Sequence, residues 1–299
     1  MKEYLTDMDF AILQKLGDFT FLTNSQLRAL EVSKSARSLA HALRSLTTFP
    51  TPSKSVIGVL KYPPQARLGR VEHTFFLKKG ALPFLRETNL DLDLSKIHLP
   101  VRPQPLFRDY LHRKLAVDCH IVLSDFLGRH YPNIAINFWH TYFQKSGANR
   151  SPKFRPLQAK TRISLSDERF AIPDVVFHLR MKNSERPGLL MAMEISRGMN
   201  AKRLIHQLHR HVEALKLSAL GVQTELLIGH KVMVVCEEKS LLQGIWKRFP
   251  EFPRLVSFAH FFLFTTWDAF RSHPETCWQI FGNSGRFNFL TGRKIPNTS

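Results

Sequence analysis

Cysteine is scarce in this chain, and Cys119, Cys236 and Cys277 stand far apart. Isolated thiols build neither a disulfide framework nor a zinc knuckle, so the expectation is three structural thiols in a reducing cytoplasm. No apolar run reaches the length needed to cross a bilayer, which argues against a membrane partner. The opening residues carry Glu3, Asp7 and Asp9 where a signal peptide would carry an apolar core. A glycine-rich phosphate loop is also missing, so nucleotide hydrolysis has no support. Only five tyrosines occur, and none lies beside a histidine cluster of metal-binding spacing, which leaves a tyrosine-nucleophile mechanism without support. His206, His209 and His211 do not share one helix face and have no cysteine nearby, so zinc is not expected. No internal repeat is visible.

Negative charge is the other shortage. Asp and Glu total 24 against 43 Lys and Arg, a formal charge of +19. Such an excess favours a polyanion, and nucleic acid before any other. The chain of 299 residues is 43% apolar, enough to bury a core in one large domain or two modest ones.

Residues 1–90 read as one compact unit. Asp9 to Leu16 has helical spacing of apolar residues. Thr23 followed by Gln26 is a capping-box pattern for a second helix. A third helix is predicted from Ser35 to Leu46, with Leu39, Ala42, Leu43 and Leu46 inward and Lys34, Arg37, His41 and Arg44 outward. Strand-like runs follow at Ser55 to Lys61 and His73 to Leu77, joined by a tract that contains Arg67 and Arg70. A short helix from Gly80 to Arg86 closes the unit. Three helices followed by a β-hairpin is the order of a winged helix-turn-helix, with the third helix in the major groove and the tract between the strands on the backbone. An ordinary helical domain with a solvated basic face fits the same residues.

Residues 91–106, with Pro100, Pro103 and Pro105, suit a linker. Residues 107–299 then read as a second domain. A helix from Phe107 to Arg129 opens it, and Ile134 to Tyr142 has the composition of a strand. From Phe170 the order is strand, strand, a helix from Ala201 to Leu220, a strand, a helix, and a last strand from Phe258 to Thr266. The alternation predicts an α/β domain around a mixed sheet, α+β overall when the N-terminal unit is included.

The chemistry centres on Asp174 and Glu194. Each is a lone acid in an apolar run, and a buried acid is costly unless paired or coordinated. Two carboxylates on neighbouring strands can hold Mg²⁺ or Mn²⁺ through oxygen. In so basic a chain the substrate of that metal would be a phosphodiester. A strand-end ion-pair arrangement fits the same two residues. The helix after Glu194 carries Gln207 and His211 on one face, and Gln207 is a candidate to meet the acids. His112 is a candidate base or phosphate contact, and equally a packing residue. Arg113, Arg197, Arg203 and Arg210 are further candidates for the DNA backbone.

Four segments together resemble the replication-relaxation family, which includes plasmid mobilisation relaxases of the MobC type. They are the N-terminal helices with the hairpin ending His73 to Gly80, the run Leu111-His-Arg-Lys-Leu-Ala-Val117, the dipeptide Pro173-Asp174, and Glu194-Ile-Ser-Arg-Gly-Met199. The last is similar to the family's Glu-x-Asp-Arg-Gly-Thr. The resemblance runs from about residue 9 to residue 215. It implies a second domain of PD-(D/E)xK restriction-endonuclease type, with Asp174 and Glu194 as ligands of Mg²⁺. The activity implied is nicking of one DNA strand at a transfer or replication origin, with a conjugation coupling protein or other relaxosome proteins as partners. Ser196 occupies the place of the motif's lysine, and Lys202 is the nearest basic candidate to replace it. Gln207 to His211 resembles the Gln-x-x-x-Tyr helix of RecB-like nucleases. The same departures fit an origin-binding accessory or replication-regulating protein that kept the fold and lost the chemistry.

Overall fold

A computed structural model describes residues 5–64, 69–88, 97–100, 107–146, 157–166, 168–198 and 200–295. The chain is of mixed α/β class and divides into two compact units, Met1–Ile121 and Val122–Ser299. The division falls inside a helix. The expected boundary at residues 91–106 lies mostly outside the described residues.

The first unit begins with α1, Asp7–Phe19, whose N-terminus is closed by a capping box between Thr6 and Asp9. A short strand, β1 (Leu22–Thr23), leads into α2 (Asn24–Ala29). The predicted box forms: the Thr23 amide donates to Gln26 Oε1 at 2.9 Å, and the Gln26 amide donates to Thr23 Oγ1 at 3.3 Å. Helix α3 spans Ala36–Leu46 with Ser35 as its cap, and buries Leu39, Ala42, Leu43 and Leu46 as their spacing predicts. Strands β2 (Ile57–Leu60) and β3 (Thr74–Leu77) pair antiparallel, and β1 adds to the far side of β3. Helix α4, Leu82–Thr88, follows.

Helix α5 runs from Phe107 to His130, and its first half belongs to this unit. Gln26 Nε2, already part of the cap of α2, donates to Asp118 Oδ1 at 2.7 Å and to the Lys114 carbonyl at 3.2 Å. One side chain therefore orders a helix start and ties α5 to it.

The second unit is built on a five-stranded mixed sheet. Strands β4 (Ile134–Thr141), β5 (Val175–Met181) and β6 (Leu189–Ser196) form an antiparallel meander. Strands β7 (His230–Cys236) and β8 (Phe262–Thr266) continue the sheet parallel to β6. Their connections carry α6 (Ala201–Lys216), α7 (Ala219–Gln223) and α8 (Lys239–Arg248). Parallel neighbours need such crossovers, and the helices cover one sheet face. Leu204, Ile205, Leu208 and Val212 of α6 pack on Val232, Val234 and Cys236 of β7. Ala214 and Leu220 pack on Val176, Leu190 and Ala192.

Three predicted elements are shorter than their apolar runs. The run from Phe170 breaks: Phe170–Ala171 pairs with Ile163–Ser164, and β5 starts only at Val175. Pro173 has no N–H to give a ladder, so Asp174 stands at the strand entrance and not within the strand. The helix predicted to Leu220 stops at Lys216, and Ser218 turns the chain with φ 48°. The last strand begins at Phe262, after a single 3₁₀ turn at Ala259–Phe261.

Candidate metal and nucleic-acid site

Where the meander ends, the register places the two acids side by side. Val175 pairs with Met193 and Val176 with Ala192, and one further step sets Asp174 beside Glu194. Directly paired residues share a sheet face. Val176 and Ala192 face α6 and α7, so both acids lie on that side.

Each carboxylate is held by named donors. Asp174 Oδ2 accepts the Ile195 amide at 2.7 Å, while the Asp174 carbonyl accepts the Tyr142 amide at 3.0 Å. Glu194 is 2% exposed; its Oε2 accepts Gln207 Nε2 at 3.1 Å, and its Oε1 lies 2.8 Å from His211 Nε2. Burial pushes the Glu194 pKa well above the usual carboxylate range, and the neighbouring Asp174 charge pushes it further. The Arg203 guanidinium opposes that rise, and a hydrogen bond with Asp174 adds to it.

Arg203, Gln207 and His211 are spaced four apart on α6 and so line one face of it. Gln207 is therefore where the sequence predicts. The cation whose charge reaches Glu194 is Arg203, expected only as a DNA contact, and not Lys202 one position earlier, although both side chains are exposed. The cap of α6 helps to place Arg203, because the Arg203 amide donates to Asn200 Oδ1 at 3.0 Å. Ser196, paired with Cys236, shares the face of Glu194 and stands where a lysine is expected. Arg197 is committed to an ion pair with Glu237, Nε to Oε2 at 3.1 Å.

Behind Glu194 the site continues into the core. His211 is fully buried, and burial together with the neighbouring His230 lowers its pKa to about 3. His230, 2% exposed, is lowered to about 4 by burial. Burial thus favours the neutral form of both rings. Sequence reasoning passed over His230, which opens a buried strand and whose contact with α6 exists only after folding. The Ile195 amide was equally invisible, since no side chain announces it.

Two hard oxygen donors are the set a magnesium ion accepts, because it keeps several of its waters and takes one or two carboxylates. Two acids close enough for one to raise the other's pKa gain from such a cation, which relieves their repulsion. The residues present therefore fit Mg²⁺ or Mn²⁺. Among the described residues, no group of three or more His, Cys, Asp or Glu side chains could by itself hold a metal ion.

The remaining candidates divide by unit. His112 and Arg113 lie in the first unit, on α5. Arg113 is buried, bonded to Asp109 Oδ2 at 2.9 Å and stacked 4.8 Å from the Phe21 ring centroid. That is a packing role, in place of the expected contact with DNA. Lys34, Arg37, His41 and Arg44 are exposed, and Arg37, His41 and Arg44 follow one helix face at i, i+4 and i+7. Helix α3 contains no acid. Arg70 is exposed beyond β2, and Arg67 lies outside the described residues. Arg210 is exposed on α6.

Compared with known proteins, the chain matches no family model, no curated protein and no solved structure. Among the described residues no helix is long and apolar enough to cross a membrane.

Proposed function

We propose that the protein is a metal-dependent DNA-nicking enzyme. The first unit binds duplex DNA as a winged helix and the second cuts one strand. The observation that supports cutting is the side-by-side burial of Asp174 and Glu194 under the Arg203–Gln207–His211 face of α6. Structural acids are seldom buried in pairs of like charge, because each raises the cost of ionising the other. Sites that work on charge do bury them.

In this reading Asp174 and Glu194 hold Mg²⁺ or Mn²⁺, which when bound supplies Lewis acidity and a more acidic water. The Ile195 amide keeps the Asp174 carboxylate turned toward β6. Gln207 and His211 hold the two oxygens of Glu194 in place. Arg203 offsets negative charge at the mouth of the site and is suited to a phosphate oxygen. In the first unit, Arg37, His41 and Arg44 present a basic stripe to the major groove, and Arg70 meets the backbone. The resemblance to the replication-relaxation family points to an origin of transfer or replication on a plasmid or mobile element as the target. It also points to coupling or relaxosome proteins as partners. Three free, buried cysteines fit a cytoplasmic setting.

A second reading is supported by Ser196. With a hydroxyl in the lysine position, the domain is suited to an accessory role in which DNA is bound at the origin and not cut. Supercoiled plasmid carrying candidate origins separates the two when incubated with Mg²⁺, Mn²⁺ or EDTA. Metal-dependent conversion to open circles supports the nickase. Tight origin binding with no nick in any metal overturns it in favour of the accessory protein.

A further inference from the structure

We propose that His230 is a positioning residue for the acid site, acting on Glu194 through His211 and one buried water. The inference rests on the metal-centre reading of Asp174 and Glu194, and its starting point is two nitrogens. His211 Nδ1 and His230 Nε2 are both buried, and neither has a hydrogen-bond partner among the described residues. The rings are neighbours, with centroids 6.2 Å apart and planes tilted by 56°. Buried ring nitrogens without partners are costly, and an ordered buried water is the usual partner of such groups.

The direction of the chain follows from Glu194. As a metal ligand it must be a carboxylate, which only accepts hydrogen bonds. The Gln207 amide donates to Oε2. His211 Nε2, 2.8 Å from Oε1, must then carry the ring's proton. A neutral imidazole has one N–H, so Nδ1 is left as a bare acceptor. Water bonded there needs an acceptor for itself or a second donor to hold it, and His230 Nε2–H supplies that donor. The chain therefore reads His230 Nε2–H to water, water to His211 Nδ1, and His211 Nε2–H to Glu194. Register sets its far end, because His230 opens β7 beside Leu190, on the same face of the sheet as Glu194. Without His230 the water is poorly held, and His211 can shift its proton to Nδ1. Its bare Nε2 would then face a carboxylate oxygen, and Glu194 would turn or take up a proton. Such outer partners fix the tautomer of a histidine and the aim of a ligand.

The test is long-range ¹H–¹⁵N correlation on protein labelled at the histidine nitrogens, with His211 assigned from His211→Gln. In the wild-type chain saturated with Mg²⁺, where Glu194 is ionised, His211 is expected to be protonated at Nε2 alone. His230→Gln retains an N–H donor and keeps that pattern, whereas His230→Leu gives a mixture or protonation at Nδ1. Wild-type His211 protonated at Nδ1 with Mg²⁺ bound overturns the proposal whatever the variants do. So does a folded His230→Leu protein with unchanged His211 signals. Titration with Mn²⁺ supplies a second readout: His230→Leu is expected to bind about tenfold more weakly than wild type, and His230→Gln to recover most of the loss. Equal Mn²⁺ affinity in His230→Leu and wild type overturns the positioning role. A wild-type chain that binds no Mn²⁺ overturns the metal reading and the proposal with it, whereas Mn²⁺ binding with unchanged His211 signals in His230→Leu overturns the proposal alone.

Discussion

The Asp174 carboxylate accepts the backbone amide of Ile195 at 2.7 Å, and this bond ties the entrance of one strand to the residue after Glu194 on the next. Two acids distant in sequence are thereby held at one edge of the sheet. The bond uses an amide beyond the last paired residue of the β5–β6 ladder, so it fills a backbone donor that the sheet leaves over. The same geometry sets Glu194 beside a like charge in a buried place, and the consequence is measurable.

Glu194→Gln is expected to stabilise the chain in EDTA at neutral and alkaline pH. The folded pKa of Glu194 is raised above its unfolded value near 4.5. Its contribution is therefore fully present below that value and is lost as pH rises through the folded pKa. The advantage of Glu194→Gln in melting temperature should be small at pH 4 and grow with pH. Melting curves at several pH values check this, and an advantage that shrinks as pH rises would contradict the buried-acid description.

Arg37→Ala and Arg44→Ala should each weaken duplex binding without changing the fold. If each side chain meets one phosphate, the slope of log affinity against log salt falls by about 1 per substitution. Fluorescence anisotropy with labelled duplex over a salt series gives the slope. A variant that binds as wild type with an unchanged slope would remove α3 from the interface.

Gln26→Ala should cost about 1–2 kcal/mol, because it removes half of the α2 cap and takes one of two side-chain donors from the half-buried Asp118 on α5. Urea unfolding gives the difference. A loss below about 0.5 kcal/mol would mean that the link to Lys114 and Asp118 contributes nothing to folding.

Ser196→Lys should raise metal-dependent nicking by on the order of tenfold or more, since a positioned cation or proton donor typically contributes that much or more. The position shares the face of Glu194 and is only half-buried, so a longer side chain has an outlet. Initial nicking rates on supercoiled plasmid measure the effect, and a rate equal to wild type would show that lysine is not what this edge lacks.

Much of the fold could be read before folding, because local chemistry decided it. Thr23 and Gln26 announce a helix start, the spacing of Leu39, Ala42, Leu43 and Leu46 announces a buried face, and both appear as expected. Asp174, Glu194 and Gln207 were legible as polar residues in apolar surroundings. What escaped was decided by tertiary packing. Pro173 ended an apolar run that reads as continuous. Arg113 looks like a surface cation, yet it turns inward onto Phe21. His230 enters the site only because β7 lies parallel to β6 under α6. Arg203 and Lys202 are indistinguishable by composition, and the helix phase fixed by packed Leu204 and Leu208 selects between them.

Binding of Mn²⁺, followed by the electron paramagnetic resonance signal of the free ion, tests the acid pair most directly. Wild-type protein is expected to show a site that Mg²⁺ displaces and that both Asp174→Asn and Glu194→Gln abolish in chains that melt cooperatively. No binding by the wild-type chain, or binding that survives both substitutions, would contradict a metal centre at Asp174 and Glu194.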